Sequence, residues 1–340
     1  MKKITIKEIA KLARVSVGTV DRVLHNRGEV AELTKQLVLK IAKEGNYSTN
    51  VFARNLKLNK VYNLAVILPN DNEYWEMLNA GIKQAAAEYE SLGMQLSFFT
   101  FNRHNKNSFI TKSNQAIKSM PDGVIMAPLL EEETKGICIQ LNRQNIPFVF
   151  VDSNLADVCP LTFIGQDTRK SGYLAAKLLN YGFPQGHSAF IVKLTDFDSI
   201  NKTNAERIEG FRKYYTDHNF DSELVKEITE RDEEIAIKNL IKNGSTAHFF
   251  SPNSRAYQIA DLLAVNSSQH KCRVIGYDLI RKNLDCLENG SIDFIIHQNP
   301  RMQGNLSIQA FYKHLILKEG VEPIQKLPLD IITKENVELE

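Results

Sequence analysis

The stretch VSVGTVDRVLHNRG, residues 15–28, governs how the N-terminal part of the chain is read. Ser16 is a suitable helix N-cap. Val20, Val23 and Leu24 then recur at i, i+3 and i+4 and share one inward face. The opposite face presents Val17, Gly18, Asp21, Arg22 and His25. Upstream, Thr5 and Glu8 have the spacing of a capping box, with Ile4 and Ile9 at the two positions of a hydrophobic staple. A first helix to about Ala13 follows, its apolar positions being Ile6, Ile9, Ala10, Leu12 and Ala13. Arg14 and Val15 form a short turn. Two short helices with a polar outer face on the second make a helix-turn-helix, whose second helix enters the major groove. A third helix over Glu32 to Lys43 packs Leu33, Leu37, Val38 and Ile41 and ends at Gly45.

The charge distribution points to the same partner. Net charge is +2 over 340 residues, but residues 1–60 carry 13 Lys/Arg against 5 Asp/Glu. The remainder carries 29 against 35, so a basic head precedes a mildly acidic body, and only the head is suited to a polyanion. The candidate DNA-contacting set in the head is Thr5, Ser16, Val17, Gly18, Thr19, Asp21, Arg22, His25, Asn26 and Arg27. Asp21 is the anomaly, since a carboxylate repels phosphate. Three readings stand: it accepts from a cytosine N4, it pairs with His25 one turn on, or it serves only the helix dipole.

Residues 46–60, NYSTNVFARNLKLNK, hold Asn50 as a possible cap for a short basic helix with Val51, Phe52, Ala53 and Leu56, flanked by Arg54 and Lys57. A plain linker is one reading. The other is a segment that orders on DNA and inserts Leu56 into the minor groove.

TIKEIAKLARVSVGTVDRVLHNRG followed by NYSTNVFARNLK resembles the N-terminal signature of the LacI/GalR family of bacterial transcription regulators. The resemblance implies that Val17, Gly18 and Arg22 read bases, and that Asn50, Ala53 and Leu56 belong to a hinge helix. It implies a homodimer or tetramer on near-palindromic double-stranded operator DNA, and an effector-binding body. Arg14 stands where the family usually has glycine, and Ala31 where it usually has a Ser/Thr cap.

Beyond residue 60, apolar strands alternate with amphipathic helices: YNLAVILP (62–69), MQLSFFTF (94–101), DGVIMAP (122–128), IPFVFVD (146–152), HSAFIVKL (187–194), TAHFFSP (246–252), KCRVIGYD (271–278) and SIDFIIHQ (291–298). Continuous apolar strands argue for parallel sheets covered on both faces. The expected fold is an all-α helix-turn-helix head on an α/β body like a periplasmic binding protein, with two Rossmann-like lobes. The expected division is a head over 1–48, a hinge over 49–60 and an effector-binding and dimerisation body over 61–340. By resemblance, lobe one holds about 61–160 and 293–322, and lobe two about 161–292 and 323–340. A last strand is expected within residues 327–334.

Open α/β sheets bind ligands past the carboxyl ends of their strands. Asp152, Asp278 and Gln298 stand there, and Asn253 follows HFFSP. With Arg207, Tyr74 and Trp75 they form the candidate effector set. Carboxylates and amides suit paired sugar hydroxyls, an arginine fork suits sugar oxygens, and aromatic rings suit an apolar sugar face. The duller readings are that the aspartates cap the next helices, that Trp75 is core, and that Arg207 forms a surface ion pair.

Nucleotide-binding glycine motifs, a nucleophile elbow and metal-ligand spacings are absent from the sequence. Cys138, Cys159, Cys272 and Cys286 read as reduced thiols. No cofactor, metal or membrane span is expected, and the N-terminus suits a cytoplasmic protein. The reading is a non-enzymatic DNA-binding regulator, by default a repressor, controlled by a sugar or sugar derivative. The alternatives are a sugar-binding protein without DNA activity and a cleft hydrolase using Asp152 and Asp278.

Overall fold

The computed structural model describes residues 4–24, 27–45, 47, 60–183, 186–193, 202–229, 247–265 and 272–337. The chain divides into two compact units, Met1–Asn59 and Lys60–Glu340. The described residues of the first form three helices, α1 (Ile6–Ala13), α2 (Val17–Leu24) and α3 (Glu32–Glu44). The capping box forms, with Thr5 Oγ1 accepting from Glu8 N at 3.3 Å and Glu8 Oε2 accepting from Thr5 N at 2.7 Å. Arg14 closes α1 in the left-handed region, φ 53°, which costs a non-glycine residue about 1 kcal/mol.

Ile9, Ala10, Ala13, Val20, Val23, Val38 and Ala42 make this small core. Three expected packing positions fall outside it. Leu12, Leu33 and Leu37 are exposed, Leu33 at 83%. Short helices bury only one stripe each, and apolar residues beyond that stripe stay in water. The expected hinge, with Asn50, Ala53, Arg54, Leu56 and Lys57, lies outside the described residues, as do His25 and Asn26.

The second unit contains two six-stranded sheets among the described residues. The strands of the first are β1 (Tyr62–Ile67), β2 (Met94–Phe98), β3 (Gly123–Met126), β4 (Phe148–Val151), β5 (Thr162–Gly165) and β11 (Ile324–Lys326). The second has β6 (Ala189–Lys193), β7 (Val225–Thr229), β8 (His248–Phe250), β9 (Arg273–Tyr277), β10 (Phe294–His297) and β12 (Asp330–Ile332). The first sheet runs in the order β11-β5-β4-β3-β1-β2 and the second β12-β10-β9-β8-β6-β7. All pairs are parallel except β10 with β12. Their inner positions are fully buried, as in β3 and β4, which accounts for the unbroken apolar runs.

The chain crosses between lobes at points other than those expected. β5 belongs to the first sheet, beside β4, not to lobe two. β10 belongs to the second sheet, beside β9, not to lobe one. β11 pairs with β5 and so lies in lobe one. The sequence misleads here because no helix separates β4 from β5. Parallel neighbours usually need a helical crossover, so its absence reads as a change of lobe. The three crossings follow β5, β10 and β11, and one side chain ties them together. Gln166 Nε2 donates to His297 O at 2.7 Å and to Pro328 O at 2.5 Å.

The α-helices among the described residues of the body are α4 (Glu73–Glu88), α5 (Lys106–Lys118), α6 (Glu131–Arg143), α7 (Thr168–Asn180), α8 (Lys202–Asp217), α9 (Ala256–Val265), α10 (Arg281–Glu288) and α11 (Pro300–Phe311). Among the described residues, each lobe has a helix pair in backbone contact. In lobe one, α4 meets α11 through Gly81 and Gly304. In lobe two, α7 meets α8 through Gly172 and Gly210. A Cβ on Gly172 would stand 1.8 Å from the carbonyl oxygen of Arg207. Gly172→Ala should therefore force α7 and α8 apart at a cost of about 1–3 kcal/mol. At roughly 2–4 °C per kcal/mol, a thermal melt should show Tm lower by several degrees. An unchanged Tm would mean that the two helices do not pack this closely.

Candidate functional site

The head offers its surface on α2. Ser16 Oγ accepts from Thr19 N at 3.0 Å, so the cap holds the first turn. Val17 and Gly18 project beyond it, Val17 at 47% exposure, and Arg22 and Arg27 are also exposed. Val20 and Val23, on the opposite side, are buried. The expected pairing of Asp21 with His25 involves a residue outside the described set. Thr5 is committed to its capping box.

In the body, the residues singled out from sequence converge between the lobes. Asp152 and Asp278 directly follow β4 and β9, and both sit in the left-handed region, at φ 69° and 70°. Aspartate tolerates this conformation better than most residues, and it turns each carboxylate off its strand axis. Neither caps a helix. The loop after Asp152 runs on to β5, and the N-cap of α10 is Ile280. Asp152, Asp278 and Arg207 are 8%, 5% and 3% exposed. Arg207 is thus not a surface ion pair. Its neighbours Glu206 and Glu209 pair with Arg169 instead.

A hydrogen-bond chain crosses from one lobe to the other. Arg207 Nη2 donates to Gln298 Oε1 at 2.5 Å, and Gln298 Nε2 donates to Asp278 Oδ1 at 2.7 Å. Gln303 Nε2 donates to the carbonyl of Gln298 at 2.9 Å and to the Tyr74 hydroxyl at 3.2 Å. Tyr74 in turn donates to Asp152 Oδ1 at 2.7 Å. Arg207 Nη1 donates to Pro252 O at 2.8 Å, and its guanidinium lies 3.7 Å from the centroid of the Tyr277 ring. Asn253 shapes its own loop, where its Oδ1 accepts from Ser251 Oγ and from Arg255 N, at 3.1 and 3.0 Å. Trp75 is buried edge-on against Tyr74. Its Nε1 and the Nε of Arg207 are buried without a hydrogen-bond partner.

Gln303 does not stand out in the sequence, yet its Oε1 also accepts from Asp152 N at 2.8 Å. The available signal is a polar residue on the inward face of α11, beside Gly304, Ser307 and Ile308. Gln166 carries no local signal at all. Among the described residues, no group of three or more His, Cys, Asp or Glu is placed to hold a metal ion, and no helix is long and apolar enough to cross a membrane.

Burial governs the electrostatics. It pushes Asp278 up to about 7, against the pull of Arg207 and the Gln298 hydrogen bond, and Asp152 adds to the rise. Burial also raises Asp152, opposed by the Tyr74 hydrogen bond and Arg207. The Tyr74 hydroxyl is raised well above its usual range by burial and by both carboxylates. Two carboxylates therefore face one guanidinium that spends its Nη1 and Nη2 hydrogen bonds on neutral oxygens.

Two family models match the chain. Residues 5–50 match the bacterial regulatory proteins of the lacI family, and residues 64–319 match a periplasmic binding protein domain. The chain belongs to the lacI family of bacterial regulatory proteins. The regulator is 28% identical over 255 residues to the HTH-type transcriptional regulator DegA of Bacillus subtilis, spanning 73% of this chain and 72% of DegA. A crystal structure of a LacI transcriptional regulator from Bacteroides fragilis superposes with TM-score 0.73 at 30% identity, covering 82% of this chain and 98% of that one. GanP, a glucose-galactose binding protein from Geobacillus stearothermophilus, superposes with TM-score 0.69 at 19% identity over 82% of this chain and all (100%) of its own. That last likeness is one of fold. The regulator is a sequence-specific DNA-binding transcription regulator.

The raised aspartate predicts a pH signature. An ordinary aspartate loses its proton near 3.8, and Asp278 keeps it to about 7. In that window the folded regulator holds a proton that the unfolded chain has released. The stabilisation is full at low pH and is lost as pH rises towards 7. Asp152 acts in the same direction. Thermal melts from pH 5 to 7.5 should show Tm falling with pH in the wild type and falling less in Asp278→Asn. Parallel curves for the two proteins would show that Asp278 ionises normally.

Proposed function

We propose that the regulator's cleft takes an uncharged monosaccharide or cyclic polyol, and that binding resets the lobes and thereby DNA affinity. The observation that carries this is the buried set of Asp152, Asp278, Arg207 and Gln298 on one hydrogen-bond chain, with Tyr74 and Trp75 beside it. Carboxylate and amide oxygens accept from vicinal hydroxyls, and the guanidinium and the unpartnered indole N–H donate to ring or hydroxyl oxygens. A sugar acid or sugar phosphate would add negative charge to a buried site that already disfavours it, since burial raises both aspartates and Asp152 adds to the rise at Asp278. GanP, a glucose-galactose binding protein, supports a sugar on the same fold.

At the other end, Val17, Gly18 and Arg22 read base edges, with Thr5, Ser16, Thr19, Asp21, Arg27, His25 and Asn26 around them. Asn50, Ala53, Arg54, Leu56 and Lys57 form the hinge that reaches the minor groove. The regulator acts in the cytoplasm as a homodimer or tetramer on a near-palindromic operator. Repression relieved by the sugar is the default direction. For the effector to regulate, it must bind the two lobe arrangements with different affinity, a coupling of typically ~1–3 kcal/mol.

Thermal-shift titration with D-glucose, D-galactose, L-arabinose and myo-inositol should raise Tm for at least one, with glucose 6-phosphate and glucuronate inert. At pH 8, where Asp278 is ionised, Asp278→Asn should weaken the active compound about 10–100-fold through loss of a charge-assisted hydrogen bond. Stabilisation by the anions alone would sink the neutral-sugar reading. Removing residues 1–60 should abolish binding to operator DNA while leaving sugar affinity nearly intact. If the shortened chain also lost the sugar, this division of labour would be wrong.

A further inference from the structure

The N-terminus of α10 lacks a cap of its own. Its N-cap residue is Ile280, which makes no side-chain cap hydrogen bond, and its first turn has no acidic residue. The donor is satisfied from the other lobe. Arg281 N, at the first position of α10, donates to Glu73 Oε2 at 2.6 Å. Glu73 is itself the first residue of α4, whose N-cap is Asn72. One carboxylate therefore lies at the N-termini of two helices on opposite sides of the cleft. Both helix dipoles favour negative charge at that end.

The position connects this contact to the effector set. Glu73 immediately precedes Tyr74 and Trp75, and Arg281 follows Asp278 by three residues. Another contact across the cleft, Lys202 Nζ donating to Asn154 O, is longer at 3.4 Å. Arg281 keeps its own side chain on α10, paired with Asp285 at 3.1 Å, so Glu73 meets the backbone N–H. We infer that Glu73 is a latch: it caps α10 from the opposite lobe only when the lobes are closed, and so biases the body towards closure before any effector arrives.

This goes beyond the proposed effector chemistry, and its test needs no effector, so either can fail without the other. Arg281→Pro removes the N–H at a helix position where proline is favoured. The preceding Ile280 already has φ −71° and ψ 154°, which proline accepts. Hydrogen exchange by mass spectrometry on the full chain would follow Asp152–Leu155 in lobe one and Asp278–Asn283 in lobe two. Glu73→Ala and Arg281→Pro should each speed exchange in both segments by roughly fivefold, the size of a lost cap, with β1 unchanged. The double variant should be no faster than Arg281→Pro alone, because with that N–H gone Glu73→Ala has no bond left to remove. If Glu73→Ala does not fold, Arg281→Pro, which leaves α4 intact, carries the test. Faster exchange confined to Asp278–Asn283 would make Glu73 a local cap and overturn the latch, as would no change in either segment or additive effects in the double variant.

Discussion

The side-chain amide of Gln166 donates to the carbonyls of His297 and Pro328, and these three residues lie on the three passages of chain between the lobes. The crossings are therefore one joined element rather than independent linkers. Two outer ties reinforce it: Lys326 Nζ to Asp167 at 2.8 Å and Asn299 Nδ2 to Asp330 at 2.7 Å. Because the passages are fixed to each other, the carboxyl ends of β4, β9 and β10 face across one cleft. Asp152, Asp278 and Gln298 meet there as a consequence. The other amide atom, Gln166 Oε1, is buried without a hydrogen-bond partner, an arrangement that costs ~1–3 kcal/mol.

The cleft itself is held against desolvation. Two carboxyl groups and one guanidinium leave water together, and both aspartates hold their protons more tightly than usual as a result. Tyr74, Gln298 and Gln303 supply hydrogen bonds, yet burial still dominates the protonation of Asp278. In the function proposed above, groups that bring hydroxyl donors suit such a site, and groups that bring negative charge worsen it. The same network spans both lobes, so any ligand that alters it alters the relation of the lobes as well. In the proposed function, that is the physical link between recognition and regulation.

The head follows different physics. Its core is a handful of small and β-branched side chains, too small to bury every apolar residue of its three helices. Leucines that follow helical spacing but lie off the buried stripe remain in solvent. The turn after α1 takes a left-handed arginine where glycine would be easier. The fold tolerates this because caps at Thr5 and Ser16 and the packed valines of α2 hold the helices on either side.

Whatever depends on neighbours a few residues away is readable along the chain. Capping pairs, helical periodicity and apolar strands are local, so the head helices, the parallel sheets and the strand-end aspartates are legible, and Arg207 and Gln298 come with them. Which sheet receives β5 and β10 is settled in three dimensions, since sheet membership is a matter of pairing between distant segments. The folded chain alone places Gln303 between Tyr74 and Asp152, joins Gln166 to two carbonyls far along the chain, and brings Glu73 to the start of α10. Those partners are separated by 131 to 229 positions, and no local pattern encodes a contact that exists only once both lobes have folded.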